Sequence, residues 1–326
     1  MLLTPALSDW LFSWLVRPSA KVLLKVRARG FIHLPRTSKI LADMGILPIR
    51  NHYYEPYIST SGLRRRLDAP RELRGVKMRE QAQLELLSSF NFQDELASLP
   101  MDPGHLSFGL RNRTFGPVDA GLLYGMIRRY RPGRILEVGC GMSTLLIRRA
   151  LESGGIDCDH VCIEPFEQPW LEELPVRVIR ERVEQLNPRE LADSLGSGDL
   201  LFIDSSHVVK PQGDVLFLFQ EVMPRLAPGV LVHIHDIFTP RDYPESWVLR
   251  ARVLWTEQYL LETLLCDNPH WEILLAANML AEDHHEALAE ALPILRTHAK
   301  GLLPGQSIVF PNSIYIRRRE DSSGTP

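Results

Sequence analysis

The stretch from Arg134 to Leu151 constrains the fold more than any other part of the chain. A short apolar run, Arg134 to Val138, is entered from Pro132-Gly133 and closes in a glycine turn, and Ser143 to Leu151 then follows with helical periodicity. That is a strand, a tight turn and a helix. Further apolar runs at His160 to Ile163, Val176 to Ile179, Leu200 to Ile203 and Val230 to Ile234 continue the rhythm, with helix-compatible segments such as Asp214 to Met223 between them. A long helical stretch, Val248 to Leu265, precedes two more strand candidates, Trp271 to Leu275 and Ser307 to Arg317. The last is rich in β-branched and aromatic residues, as an edge or antiparallel strand would be. Seven strands alternating with helices predict an α/β fold, a doubly wound, mostly parallel seven-stranded sheet covered by helices on both faces.

Before about residue 100 the rhythm is missing, and helical segments such as Glu80 to Phe90 alternate with Pro- and Arg-containing stretches. The expected organisation is an N-terminal, mainly helical extension or lid over 1–104, a sheet domain over 105–319 and a disordered polar tail over 320–326. A chain of 326 residues is long enough to bury such a core. Lys and Arg number 37 against 40 Asp and Glu, so the net charge of −3 offers no electrostatic reason to expect a nucleic-acid partner. Cys140, Cys158, Cys162 and Cys266 are too few and too unevenly spaced for a disulfide framework, and read as reduced thiols in a cytoplasmic protein. The apolar start, Leu2 to Leu24, is broken by Asp9, Arg17 and Lys21 and lacks a basic lead-in or small-residue cleavage site. It reads as neither a signal peptide nor a spanning helix. Two readings of residues 1–29 stay open. One is an amphipathic helix packed on the sheet domain or on a partner subunit of a homo-oligomer. The other is an interfacial helix, in which Trp10, Leu11, Phe12, Trp14 and Leu15 with the basic residues after them make peripheral contact with an anionic membrane.

Gly139 and Gly141 stand directly after a strand and before a helix, where a missing Cβ lets the chain turn tightly and a ligand approach the backbone. A dinucleotide-binding turn wants a third glycine where Thr144 stands. Glu137, two residues before the first glycine, would repel a pyrophosphate but suits a ligand that carries positive charge. In these residues the chain resembles the class I S-adenosylmethionine-dependent methyltransferases, a Rossmann-like family whose first motif is an acidic residue, any residue, then G-x-G. The resemblance implies that Glu137, Gly139, Cys140, Gly141, Ser143 and Thr144 lie at the cofactor. It also implies that Glu164, in Cys162-Ile163-Glu164-Pro165, accepts hydrogen bonds from both ribose hydroxyls, and that Val183 contacts the adenine.

The fourth strand ends Ile203-Asp204-Ser205-Ser206-His207 and the fifth ends Ile234-His235-Asp236, both at the carboxyl edge that faces the cofactor crevice in an open sheet. Methyl transfer is an in-line displacement, so the protein must align the acceptor and remove its proton. An aliphatic hydroxyl holds that proton tightly, and either a histidine base or a divalent ion would help. The two motifs resemble those of the metal-dependent O-methyltransferases of the macrolide-sugar group, where Asp-x-x-His follows strand four and a pair of acids follows strand five. Carried over by position, Asp204 is a metal ligand that also borders the cofactor, His207 the general base, and His235 with Asp236 the second ligand pair. A histidine at 235 in place of an acid leaves magnesium, manganese, iron or no metal open. In the blander reading, His235 and Asp236 hydrogen-bond each other. His233, set deeper in the strand, reads as a structural histidine.

The expectation is an S-adenosylmethionine-dependent O-methyltransferase acting on a hydroxyl of a small molecule or glycan unit. Two alternatives stand beside it. An NAD(P)-dependent oxidoreductase on a related fold is opposed by Glu137 and Thr144, and a noncatalytic S-adenosylmethionine-binding protein by the convergence of Asp204 with the histidines.

Overall fold

The computed structural model describes residues 5–166, 168–299 and 310–320. The chain divides into two compact units, Met1–Arg66 with Glu245–Leu254, and Leu67–Pro244 with Trp255–Pro326.

The smaller unit contains helix α1 (Pro5–Arg29) and helix α2 (Pro35–Asp43), the latter started by a proline that needs no hydrogen bond in the first turn. Arg27 forks onto both carboxylate oxygens of Glu55 at 2.7 Å, and Arg252 donates to the carbonyl of Ile58 at 2.7 Å. Its apolar core is thin: among the described residues only Val26, Leu41 and Val248 are buried hydrophobics. No helix among the described residues is long and apolar enough to cross a membrane.

The larger unit opens with α3 (Glu80–Ser88), α4 (Gln93–Ala97) and α5 (Pro117–Tyr130). It continues through β1 (Arg134–Val138), α6 (Met142–Gly154), β2 (Asp159–Ile163), β3 (Arg177–Ile179), α7 (Pro188–Asp193), β4 (Leu200–Ile203), α8 (Asp214–Phe217) and β5 (Leu231–Ile234). It closes with α9 (Glu257–Leu265), β6 (Trp271–Ala276), α10 (Ala277–Asp283), α11 (His285–Ala291), α12 (Ile294–Ala299) and β7 (Ile314–Arg318). The strands form one sheet in the order β3-β2-β1-β4-β5-β7-β6. β1 to β5 pair in parallel, and β7 lies antiparallel between β5 and β6, so the doubly wound, mostly parallel α/β sheet is the one expected. Of the run Ser307 to Arg317, residues 307–309 lie outside the described residues, and the strand begins at Ile314. Residues 321–326 of the expected tail also lie outside them.

Two segments depart from the sequence pattern. Residues near 80–100, expected in the extension, belong to the sheet unit: Leu87, Phe90 and Leu96 are buried in one core with Leu122 and Leu123 of α5. Phe90 packs so closely over Gly125 that a Cβ there would meet its ring at 2.3 Å. Burying such a side chain contributes about 1.5–3 kcal/mol, which outweighs the irregular local pattern. The continuous helix expected over Val248 to Leu265 is broken. A short helical turn, Ser246–Ala251, ends at Arg252 in the left-handed region (φ 59°), and the chain continues without helix to Thr256 before α9 begins.

One row of the sheet positions the site. Val138 pairs with both Ile163 and Ile203, and Ile203 pairs with Ile234. Gly139, Glu164, Asp204 and His235 are therefore each the first residue beyond a common row, at the carboxyl edge. β1 and β4 flank the point where the strand order reverses, the place where open α/β sheets bind ligands.

Candidate active site

Gly139 has φ +79°, and a Cβ on it would fall 1.9 Å from the carbonyl oxygen of Asp204. Only glycine lets the end of β1 cross the end of β4 so closely. Gly141 is different: its backbone is extended, and a Cβ would meet nothing nearer than the Gln168 side chain at 4.0 Å, so that side of the turn is open. Beside the turn lies a pocket of about 560 Å³, lined by Val138, Gly139, Glu164, Val183, Asp204 and Asp214 among others. The carboxylate of Glu164 accepts from the Cys140 amide at 3.3 Å and the Phe166 amide at 3.0 Å, which ties the turn after β1 to the loop after β2.

The Glu137 carboxylate does not reach this pocket. It is fully buried and turned into the protein, where the Ser143 hydroxyl donates to one oxygen at 2.6 Å and His160 Nε2 lies 2.8 Å from the other. Burial alone would lower the pKa of His160, but hydrogen bonds with Cys162 and Glu137 raise it to about 9. Thr144 is buried too, its hydroxyl accepting from the Gly141 amide at 3.1 Å. These residues hold the turn from beneath.

Next to the pocket is a cluster of carboxylates and imidazoles. His207 Nε2 lies 3.2 Å from both an Asp204 and an Asp236 oxygen, and its Nδ1 lies 2.8 Å from a Glu257 oxygen. Asp204, His207 and Asp236 present one ligand atom each within 4.8 Å of one another, a spacing compatible with one metal ion. His235 Nδ1 stands 3.6 Å from Asp236 and 3.7 Å from Asp204, and neither of its ring nitrogens has a hydrogen-bond partner, although the residue is buried and stacked on Phe115. His207 and Asp236 both sit in the left-handed region, at φ 59° and 57°. Such strain in non-glycine residues concentrates at functional sites, where surrounding contacts enforce it. Here the His207 carbonyl accepts from the amides of Thr256 and Glu257, and an Asp236 oxygen accepts from Asn312 at 2.5 Å.

The electrostatics follow from this crowding. Burial works to lower the pKa of His207, but pairing with Asp204 and Glu257 and the charge of Asp236 raise it to about 10. His235 is also raised well above the usual imidazole range, the charges of Asp236 and Asp204 outweighing burial. Against the opposing effect of burial, His235 and His207 hold the Asp204 carboxyl well below the usual range. Three acids around one imidazole make a site that attracts positive charge.

Residues 136–237, the span from β1 to the cluster, match a family described as a methyltransferase domain. The chain also aligns with curated relatives named "Transmembrane O-methyltransferase". The Homo sapiens protein is 30% identical over 161 residues, covering 46% of this chain and 50% of the relative. That of Propithecus coquereli is 32% identical over 114 residues, covering 32% and 38%. The chain thus spans about half the length or less of these relatives. Among solved structures, a MycE methyltransferase from the mycinamycin biosynthetic pathway, in complex with Mg and SAH, superposes with a TM-score of 0.38 at 19% identity, covering 69% of this chain and 57% of that one. The plantazolicin methyltransferase BpumL in complex with SAH gives 0.40 at 12% identity, covering 74% and 96%.

Within residues 136–237, Gly139, Glu164, Val183 and Asp204 share the pocket, while Asp204, His207 and Asp236 share the cluster with His235 at its edge. Glu137, Ser143 and Thr144 lie behind the turn. His233 is buried, hydrogen-bonded through Nε2 to Ser313 at 2.9 Å, and its imidazole is pushed well below the usual range by burial. Four neighbours escaped the sequence reading: Glu257 and Trp255 beside His207, Asn312 on Asp236 and Phe115 under His235. They lie 48 to 120 residues from the groups they touch, so no local spacing marks them. His160 did leave a sign, since His160 and Cys162 alternate on one face of a strand whose other buried residues, Val161 and Ile163, are apolar.

Proposed function

We propose that this chain transfers the methyl group of S-adenosylmethionine to a hydroxyl on a small molecule or glycan unit. The observation that carries the reading is the sharing of Asp204 between a 560 Å³ pocket at the glycine turn and the His207/Asp236 cluster. A donor in the first thereby borders an acceptor in the second. In this reading the open side of Gly141 and the backbone of Gly139 and Cys140 admit the donor, Glu164 accepts from its ribose hydroxyls, and Val183 packs on its adenine. Glu137, Ser143 and Thr144 act through the shape of the turn.

Two carboxylates with an adjoining imidazole, next to a buried histidine whose ring nitrogens lack partners, fit a divalent cation. Asp204 and Asp236 would hold it with His235, and it would supply acidification of the acceptor hydroxyl. Glu257, on Nδ1, orients His207 so that Nε2 faces the acceptor side, where its deprotonated form, a minority below about pH 10, takes the hydroxyl proton as the oxygen attacks the methyl carbon and the carbon–sulfur bond breaks.

The test is a screen of hydroxylated acceptors with methyl-labelled donor, run with chelator and with added magnesium or manganese. Label enters an acceptor, is lost with chelator and returns with metal, while His207→Ala slows turnover without changing donor affinity. Transfer unaffected by both chelator and His207→Ala would refute the assignment.

A further inference from the structure

Charge is divided unevenly along this chain. Met1–Arg66 with Glu245–Leu254 carries 13 Lys and Arg against 4 Asp and Glu, a net +9, whereas the remainder carries 24 against 36, a net −12. Within the basic unit, α1 changes character along its length. Trp10, Phe12, Trp14, Leu15 and Val16 leave 58 to 69% of their surface exposed. At 3.6 residues per turn they spread over about two thirds of the circumference, leaving a stripe of Asp9, Ser13 and Arg17, whereas a packed protein neighbour would cover a narrower face than that. Arg17, Lys21, Lys25 and Arg29 follow, all exposed. Trp10 and Trp14 meet edge to face at 6.2 Å, a pair of amphipathic rings of the kind that favours a lipid interface.

We propose that α1 anchors the protein on an anionic membrane surface, its first turns immersed among acyl chains and its basic half level with the headgroups. The segment from Pro5 to Val16 is about 18 Å long at helical rise, enough to reach into one leaflet of the roughly 30 Å hydrocarbon core. The net +9 complements an anionic leaflet. A nucleic acid would take the charge but leave Phe12 and the indoles in water. A second copy of the chain would cover one face and bring like charge against like.

The test is flotation of the full-length protein with phosphatidylcholine vesicles, with and without phosphatidylglycerol, together with tryptophan emission. The protein floats with the anionic vesicles, its emission shifts to the blue, and salt reverses binding. K21E/K25E lowers partitioning into anionic vesicles about tenfold or more. W10E/W14E, changed only at exposed positions, abolishes the emission shift while the circular dichroism spectrum is retained. Equal partitioning into neutral and anionic vesicles, or unchanged partitioning of W10E/W14E, would overturn the proposal. So would a dimer that W10E/W14E dissociates, or retention on RNA, in a protein that ignores vesicles.

Discussion

At the scale of single residues the cluster depends on a group outside any motif. Glu257 is fully buried and holds His207 Nδ1 at 2.8 Å, so it fixes which nitrogen faces the carboxylates. Glu257→Gln keeps the shape but weakens that hold, and kcat should fall about 10- to 100-fold with the donor's KM unchanged, as steady-state kinetics will check. A second prediction concerns His160 and Glu137. The folded pKa of His160, about 9, lies above the unfolded value near 6.5. The pair therefore contributes its full stability below about pH 6.5 and loses it as pH rises through 9. Urea unfolding of wild type and His160→Gln should show a gap that narrows by about 3 kcal/mol across that window. A gap independent of pH would mean that His160 is neutral throughout. Glu137 and Glu164 were both visible in the sequence as acids at strand ends, but their orientations were not. Glu137 is still inside the strand, facing His160, whereas Glu164 is one residue beyond it and bends toward the turn.

At the scale of elements, the alternation of apolar runs and helices located the strands, because a strand buried on both faces is apolar throughout and short. Periodicity could not see the break between Arg252 and Thr256, since a left-handed residue leaves the side-chain pattern on either side intact. That break brings Trp255 and Glu257 to His207, which is why part of the site was illegible. The turn after β1 offers a contrast between its glycines. Gly139→Ala needs both a strained φ and relief of a 1.9 Å contact between its Cβ and the Asp204 carbonyl oxygen, and should cost about 3 kcal/mol or more in thermal or chemical unfolding. Gly141→Ala meets open space and should change stability by less than about 1 kcal/mol, while donor binding weakens because the methyl group occupies the ligand's side of the turn.

At the scale of the whole molecule, the net charge of −3 hid two opposed units, and only the division of the fold separates them. Composition averages over the chain, so it described neither unit. The same division shows why the catalytic reading stands on the larger unit by itself: the pocket, the turn and the cluster are all built from Leu67–Pro244 and Trp255–Pro326. The most direct measurement is a calorimetric titration of the full-length protein with S-adenosylhomocysteine and, separately, with NAD, repeated on Glu164→Ala. One site per chain should fill with S-adenosylhomocysteine and none with NAD, and the substitution should weaken binding by about 1 to 3 kcal/mol through loss of charge-assisted hydrogen bonds. Equal affinity in the two proteins, or heat from NAD in place of S-adenosylhomocysteine, would contradict the account.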